Sequence, residues 1–149
     1  PNHSNMEEQH PALGIDHGEA RIGLAITDPI GILAHPLETV HVQKTAPLER
    51  INALISERHV KQIIIGLPYR MDGSEGTAAH KIRAFADELR DSLAQPLPIT
   101  FIDERLTTVS AAEKLHAAGK NAKKQKGIID QAAAVEILSD WLNQQSPMY

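Results

Sequence analysis

Val60 to Leu67 reads VKQIIIGL, a nearly continuous apolar run. A strand with one solvated face alternates apolar and polar residues. A run without that alternation suits a strand covered on both sides, as in an α/β sheet. The flanking sequence supplies the cover. Pro47 opens a helical pattern with Leu48, Ile51, Leu54 and Ile55 on one face. A second pattern, with Ile82, Phe85, Ala86 and Leu89 as its apolar stripe, follows the loop from Pro68 to Gly76 and extends to about Leu93.

Before the run, Ala12 to Asp16 predicts a strand entering a turn, and Arg21 to Thr27 predicts its return, with Ile22, Leu24 and Ile26 on one side. Asp28-Pro29 breaks that strand, and residues 37–42 predict a third, edge-like one. After it, Leu97 to Ile102 predicts a fifth strand. Thr107 or Thr108 caps a third helix that ends at Gly119, and a final helix spans about Ile128 to Asn143. The order β-β-β-α-β-α-β-α-α predicts an α/β fold: a mixed five-stranded sheet, an antiparallel meander followed by β-α units, flanked by helices. That order resembles the RNase H-like architecture, which by itself establishes no function.

The chain has 149 residues, enough for one domain, and no linker divides it. The domain is expected over 12–143. Residues 1–11 are expected to be disordered or foreign to the domain, with residues 1–5, which precede the first methionine, Met6, set outside the fold, and 144–149 to be a tail. No apolar run approaches the roughly 18–20 residues that span a bilayer, and the polar start lacks a signal core. With no cysteine, disulfides and thiolate chemistry are excluded, and a cytoplasmic location is expected. There is no H-E-x-x-H helix, no P-loop and no G-x-S-x-G elbow.

A net charge of −4 argues against a polyanionic partner. It hides a local excess, however: Lys120, Lys123, Lys124 and Lys126 fall within seven residues with no acid among them. Aromatic residues are 3% of the chain, too few for a platform that stacks unpaired bases. A nucleic-acid partner would be held by its backbone and shape.

Acids from three distant segments are candidates for chemistry. Asp16 ends the first strand. It is also an ordinary turn residue ahead of Gly18, but a carboxylate on a rigid strand end can be aimed well. Asp103 and Glu104 end the fifth strand. Side chains alternate there, so only one should meet Asp16. Glu104 is favoured, with Asp103 pairing with Arg105 or supporting from behind. Asp130 lies at the expected start of the last helix, where an acid also complements the helix dipole. It shares a face with Ala134, Ile137 and Trp141, and an inward acid needs a partner. If the three converge at one end of the sheet, they can hold magnesium or manganese, hard cations that take oxygen ligands. Two such ions activate water and stabilise the leaving oxygen of a phosphodiester. Ser74 is expected to cap the second helix near a phosphate, with Lys123, Lys124 and Lys126 as further backbone contacts. His17 is set aside as a turn histidine.

These segments together resemble the YqgF-type (RuvX-like) family, whose members are named Holliday junction resolvases or pre-16S rRNA nucleases. Asp16-His17-Gly18-Glu19-Ala20-Arg21-Ile22-Gly23 resembles its D-x-G-x-x-R-I-G opening. Ile65-Gly66-Leu67-Pro68 and Met71-Asp72-Gly73-Ser74-Glu75-Gly76 resemble its G-L-P and M-D-G segment. Asp103-Glu104-Arg105-Leu106-Thr107-Thr108 resembles its D-E-R motif. Lys123-Lys124-Gln125-Lys126, followed by Asp130 and Ala132 to Ala134, resembles its basic loop and terminal helix. Coverage runs from about Ala12 to Leu142.

The resemblance implies metal-dependent phosphodiester hydrolysis by Asp16, Glu104 and Asp130. It also implies a phosphate contact at Arg21, and a structured RNA precursor or a DNA junction as partner. Ala20 departs from it, placing no charge where relatives often carry one. An ATP-binding domain of the actin and sugar-kinase type also opens on an aspartate-glycine hairpin. It uses two related domains, though, and gives the D-E-R motif no role. A catalytically silent scaffold is disfavoured by retention of all three acids. A junction resolvase would be a symmetric dimer, whereas monomer and homodimer both remain open from sequence.

Overall fold

The computed structural model describes residues 6–104 and 122–145. The strands are β1 (Ala12–His17), β2 (Arg21–Thr27), β3 (Ala34–His41), β4 (Gln62–Leu67) and β5 (Ile99–Asp103). They form one mixed sheet in the order β3-β2-β1-β4-β5. β1, β2 and β3 are antiparallel neighbours, while β4 runs parallel to both β1 and β5. The helices are α1 (Met6–Gln9), α2 (Pro47–Arg58), α3 (Thr77–Ser92) and α4 (Ala122–Gln145).

The two faces of the sheet are built differently. One carries Leu13, Ile15, Ile22, Leu24, Ile63, Ile65 and Leu67, all essentially fully buried against α2 and α3. The other carries Ala12, Ala25, Ile64 and Ile102 beneath Ala134, Ile137, Leu138 and Trp141 of α4. The continuous apolar run of β4 follows from this: Ile63 and Ile65 serve one face and Ile64 the other. Small residues on the second face let α4 lie close. A Cβ at Gly14 would meet Leu138 Cγ at 2.5 Å and the Ala134 carbonyl at 3.1 Å.

Several boundaries differ from the sequence reading. β3 begins at Ala34, not residue 37, because pairing with β2 extends to Thr27↔Ala34 through a bulge between Leu24 and Ala25. The first eleven residues are not all outside the fold. His10 is buried, shares a 2.9 Å hydrogen bond with the Thr27 hydroxyl, and sits 5.6 Å from the Trp141 ring. Ser74 is not a helix cap. α3 starts later, at Thr77 after Gly76, and the Ser74 hydroxyl donates to Asp72 Oδ1 at 2.6 Å. The last helix begins at Ala122, six residues earlier than expected, and ends at Gln145. Lys123, Lys124 and Lys126 therefore stand on its first turns rather than in a loop. The third helix expected between Thr107 and Gly119 lies outside the described residues, as do Arg105 and Lys120.

Candidate nuclease site

The parallel strands β1, β4 and β5 end together, and the acids sit at that end. Asp16 is the penultimate residue of β1, with Gly23 of β2 directly opposite. Strand alternation places Asp16 on the face of Ala12 and Gly14, beneath α4. Glu104 immediately follows β5. Alternation turns Ile102 toward α4 and Asp103 away from it, and Glu104 returns to the α4 side. A Cβ at Gly66 would meet both Glu104 Oε1 and Ile137 Cδ1 at 2.5 Å, so glycine at that position makes room for the carboxyl.

Asp130 comes from above. It lies eight residues into α4, which starts at Ala122, so it is not the first-turn acid that the helix dipole would explain. Its main chain rests on Gly23, where a Cβ would overlap the Asp130 carbonyl. Its Oδ2 accepts a hydrogen bond from Arg21 Nε at 2.6 Å in a half-buried ion pair. Arg21, expected to contact phosphate, thus engages one of the candidate acids. Gln131 adds a tether from α4, donating to the Thr39 hydroxyl at 3.0 Å.

The electrostatics link Asp16 to each of the other two acids. Burial pushes the Asp16 carboxyl up to about 6, and the charge of Asp130 adds to the effect. Burial pushes Glu104 up to about 7, reinforced first by Asp16 and then by Asp103. Two partly desolvated carboxyls that repel each other and a third acid form a site poised for positive charge. Among the described residues, no three His, Asp or Glu side chains close on a single point as they stand.

Other candidates fall elsewhere. His17 is on the opposite face, its ring 4.5 Å from that of Phe85. Glu19, in the β1–β2 turn, pairs with Lys81 of α3. The residue the sequence reading did not single out is Gly23. Its signal was present, since a glycine inside an apolar strand marks a close backbone approach.

Known proteins resemble this chain over most of its length. The profile described as "RuvX: Holliday junction resolvase" matches residues 10–144. The chain belongs to the RuvX family. Among RuvX relatives, a "Putative pre-16S rRNA nuclease" of Mycobacterium ulcerans is 48% identical over 134 residues, covering 89% of this chain and 78% of that protein. One of Cutibacterium acnes, with the same name, is 46% identical over 132 residues, covering 89% and 81%. Among solved structures, "T. thermophilus RuvC in complex with Holliday junction substrate" superposes with a TM-score of 0.55 at 16% identity, covering 90% of this chain and 94% of that one. The fold is therefore RNase H-like, as the order of elements suggested.

Proposed function

We propose that this protein is a divalent-metal-dependent nuclease that hydrolyses phosphodiester bonds in pre-16S ribosomal RNA, maturing its 5′ end. The observation that carries this reading is the placement of Asp16, Glu104 and Asp130 on one face at one end of the sheet. The names of RuvX relatives at 46% and 48% identity support the substrate.

The donor set fits magnesium or manganese: three carboxyls, hard oxygen donors, in a chain without thiols. A bound cation would also reverse the repulsion that raises Asp16 and Glu104. When bound, such ions activate a water and neutralise the leaving oxygen. The chain's own residues set the conditions. β1 and β5 fix Asp16 and Glu104 on rigid strand ends. Arg21 and the close approach of Gly23 hold Asp130 beside Asp16. Asp103 adds negative charge from behind the strand.

A second reading, cleavage of four-way DNA junctions, is favoured by the description of the family profile. The comparison is direct. Wild type and Asp16→Asn are incubated with precursor 16S ribosomal RNA and with a four-way DNA junction, with magnesium or manganese. Metal-dependent cleavage of the RNA alone, lost in Asp16→Asn, is the expected outcome. Symmetric cutting of the junction with the RNA untouched would replace this reading by the second.

The start of α4 carries a further expectation. Positions 123 and 126 lie seven and four residues before Asp130 and so on the same side of the helix. Position 123 is about 10 Å away along the axis. Replacing Lys123, Lys124 and Lys126 with alanine should flatten the salt dependence of RNA binding. For every phosphate that a lysine no longer neutralises, the slope should fall by roughly 0.7. An unchanged slope would separate these lysines from the substrate.

A further inference from the structure

The loop after β4 is built too rigidly for a plain connection. Tyr69 and Glu75 face each other as an isolated antiparallel bridge. Inside it, Arg70 N–H donates to the Ser74 carbonyl at 2.7 Å and Gly73 N–H to the Arg70 carbonyl at 2.8 Å. Asp72 Oδ1 accepts from both the backbone N–H and the hydroxyl of Ser74, at 2.9 and 2.6 Å. Gly73 takes the positive φ of 89° that the turn requires. The base is braced as well. Both Glu75 oxygens accept from Arg83, at 2.7 Å each, and the Arg83 guanidinium lies 4.8 Å from the centre of the Phe101 ring. Phe101 belongs to β5, three residues before Glu104.

At the tip of this hairpin stands Met71, 94% exposed. A single exposed apolar side chain is ordinary on a protein surface. Here its place and its support are not ordinary. Leu67 pairs with Asp103, so the loop leaves the sheet at the end where Glu104 and Asp16 lie. The exposed Ile30, Ile32 and Leu33 follow β2, which runs antiparallel to β1, and so lie at the far end.

Among the described residues, no aromatic side chain stands free to pry bases apart. Among the described residues Phe85 and Trp141 are buried, Phe101 lies beneath Arg83, and Tyr69 is half-buried in the bridge. Proteins that distort a nucleic-acid helix insert aliphatic wedges, methionine among them, between adjacent bases. A wedge needs a side chain that projects fully and a backbone that does not yield, and the loop provides both.

We propose that Met71 is an unstacking wedge that inserts between two adjacent bases of the RNA substrate beside the bond to be cut. This inference rests on the reading of the site as an RNA nuclease. Opening one base step would bend the strand and turn its phosphate toward the acids, while the rigid loop keeps the register between wedge and site. The indole and phenyl groups of this chain are spent on packing, so Met71 supplies the apolar insertion.

The test uses RNA substrates carrying 2-aminopurine at the steps flanking the cleaved bond, with Met71→Ala, Met71→Gln and Met71→Leu. Binding is followed in an Asp16→Asn background, so that cleavage does not intervene. The fluorescence rise that reports unstacking should appear with Met71 and with Met71→Leu, and be absent with Met71→Ala and Met71→Gln. In otherwise wild-type protein, kcat/KM on a fully paired step should fall roughly tenfold for Met71→Ala, a part of the cost of unstacking one step. It should recover on a substrate that already carries an unpaired base there. Cleavage by wild type with equal fluorescence and equal kcat/KM in Met71→Ala would overturn the wedge and leave the nuclease reading intact. Wild-type protein that neither binds nor cuts the RNA would overturn both.

Discussion

Replacing Asp16 with asparagine is expected to raise the stability of the metal-free protein at pH 8 while abolishing metal-dependent cleavage. The Asp16 carboxyl moves from 3.8 to about 6 in the folded protein. A change of that size represents on the order of 3 kcal/mol between its charged and neutral forms. The sign follows from where the proton sits. Below about pH 4 the carboxyl is protonated in both folded and unfolded chains, and the site costs nothing. Above about pH 6 it is ionised in both, and the folded state alone carries the cost of desolvation and of the neighbouring Asp130 charge. Metal-free stability should therefore decline as pH rises through this window, with Glu104 extending the decline toward pH 7.

Asparagine removes the charge and nearly keeps the shape. It also removes one of the charges that raise Glu104. The gain should be about 1–3 kcal/mol at pH 8, less than the full cost because neighbours relax, and close to zero at pH 4. For a chain of this length that corresponds to a melting temperature roughly 3–10 °C higher. Magnesium should reverse the ranking. Wild type gains stability by binding the ion, and the variant, with a poorer ligand, gains less. Thermal melts at pH 4 and pH 8, with and without magnesium, decide the matter beside a cleavage assay. A variant less stable at pH 8 that still cuts RNA would make Asp16 a structural turn residue and remove the centre of the proposed site.

Placing a methyl group at Gly23 should do the opposite and damage fold and function together. In an ordinary strand, alanine is the more favourable residue, because glycine loses more freedom on folding. Here the added Cβ would overlap the carbonyl of Asp130 and approach its Cβ to 2.9 Å. The obstacle is helix backbone, which cannot swing aside like a long side chain. α4 must lift as a unit, loosening Leu138 against Gly14 and Ile137 against Gly66. Overpacking of this kind should cost about 3 kcal/mol, or roughly 6–12 °C in melting temperature. Cleavage should fall even at temperatures where the variant is folded, because Asp130 moves away from Asp16 while every carboxyl is still present. Denaturant unfolding of Gly23→Ala beside wild type is the check. A variant of equal stability would show that α4 does not bear on β2 as closely as the structure has it.

Much of this protein was legible in one dimension. The unalternating VKQIIIGL run demanded cover on both faces, and Ile64 and Ile65 do point into opposite cores. Alternation along β5 put Asp103 and Glu104 on opposite faces, because a period of two leaves no choice, but did not decide which of them faces Asp16. The start of α4 was misjudged for an equally physical reason. Lysines close together read as a solvated break, yet lysine is a good helix former and a helix of 24 residues accommodates Lys123, Lys124 and Lys126 on its first turns. His10 was set outside the fold because a polar stretch gives no hint of a distant hydroxyl. Thr27, 17 residues on, supplies it.

The sequence by itself determined the order of the five strands and of the two helices between them, the alternation of faces along each strand and which acids are candidates, since all three are properties of local periodicity and residue chemistry. Only the tertiary structure decided that Arg21 reaches Asp130 across 109 positions, and that Gly23 lies under that same residue. It alone decided that burial and mutual charge lift Asp16 and Glu104. Those facts depend on where separate segments meet in space, and no local pattern encodes the depth to which a helix settles on a sheet or the charge it carries there.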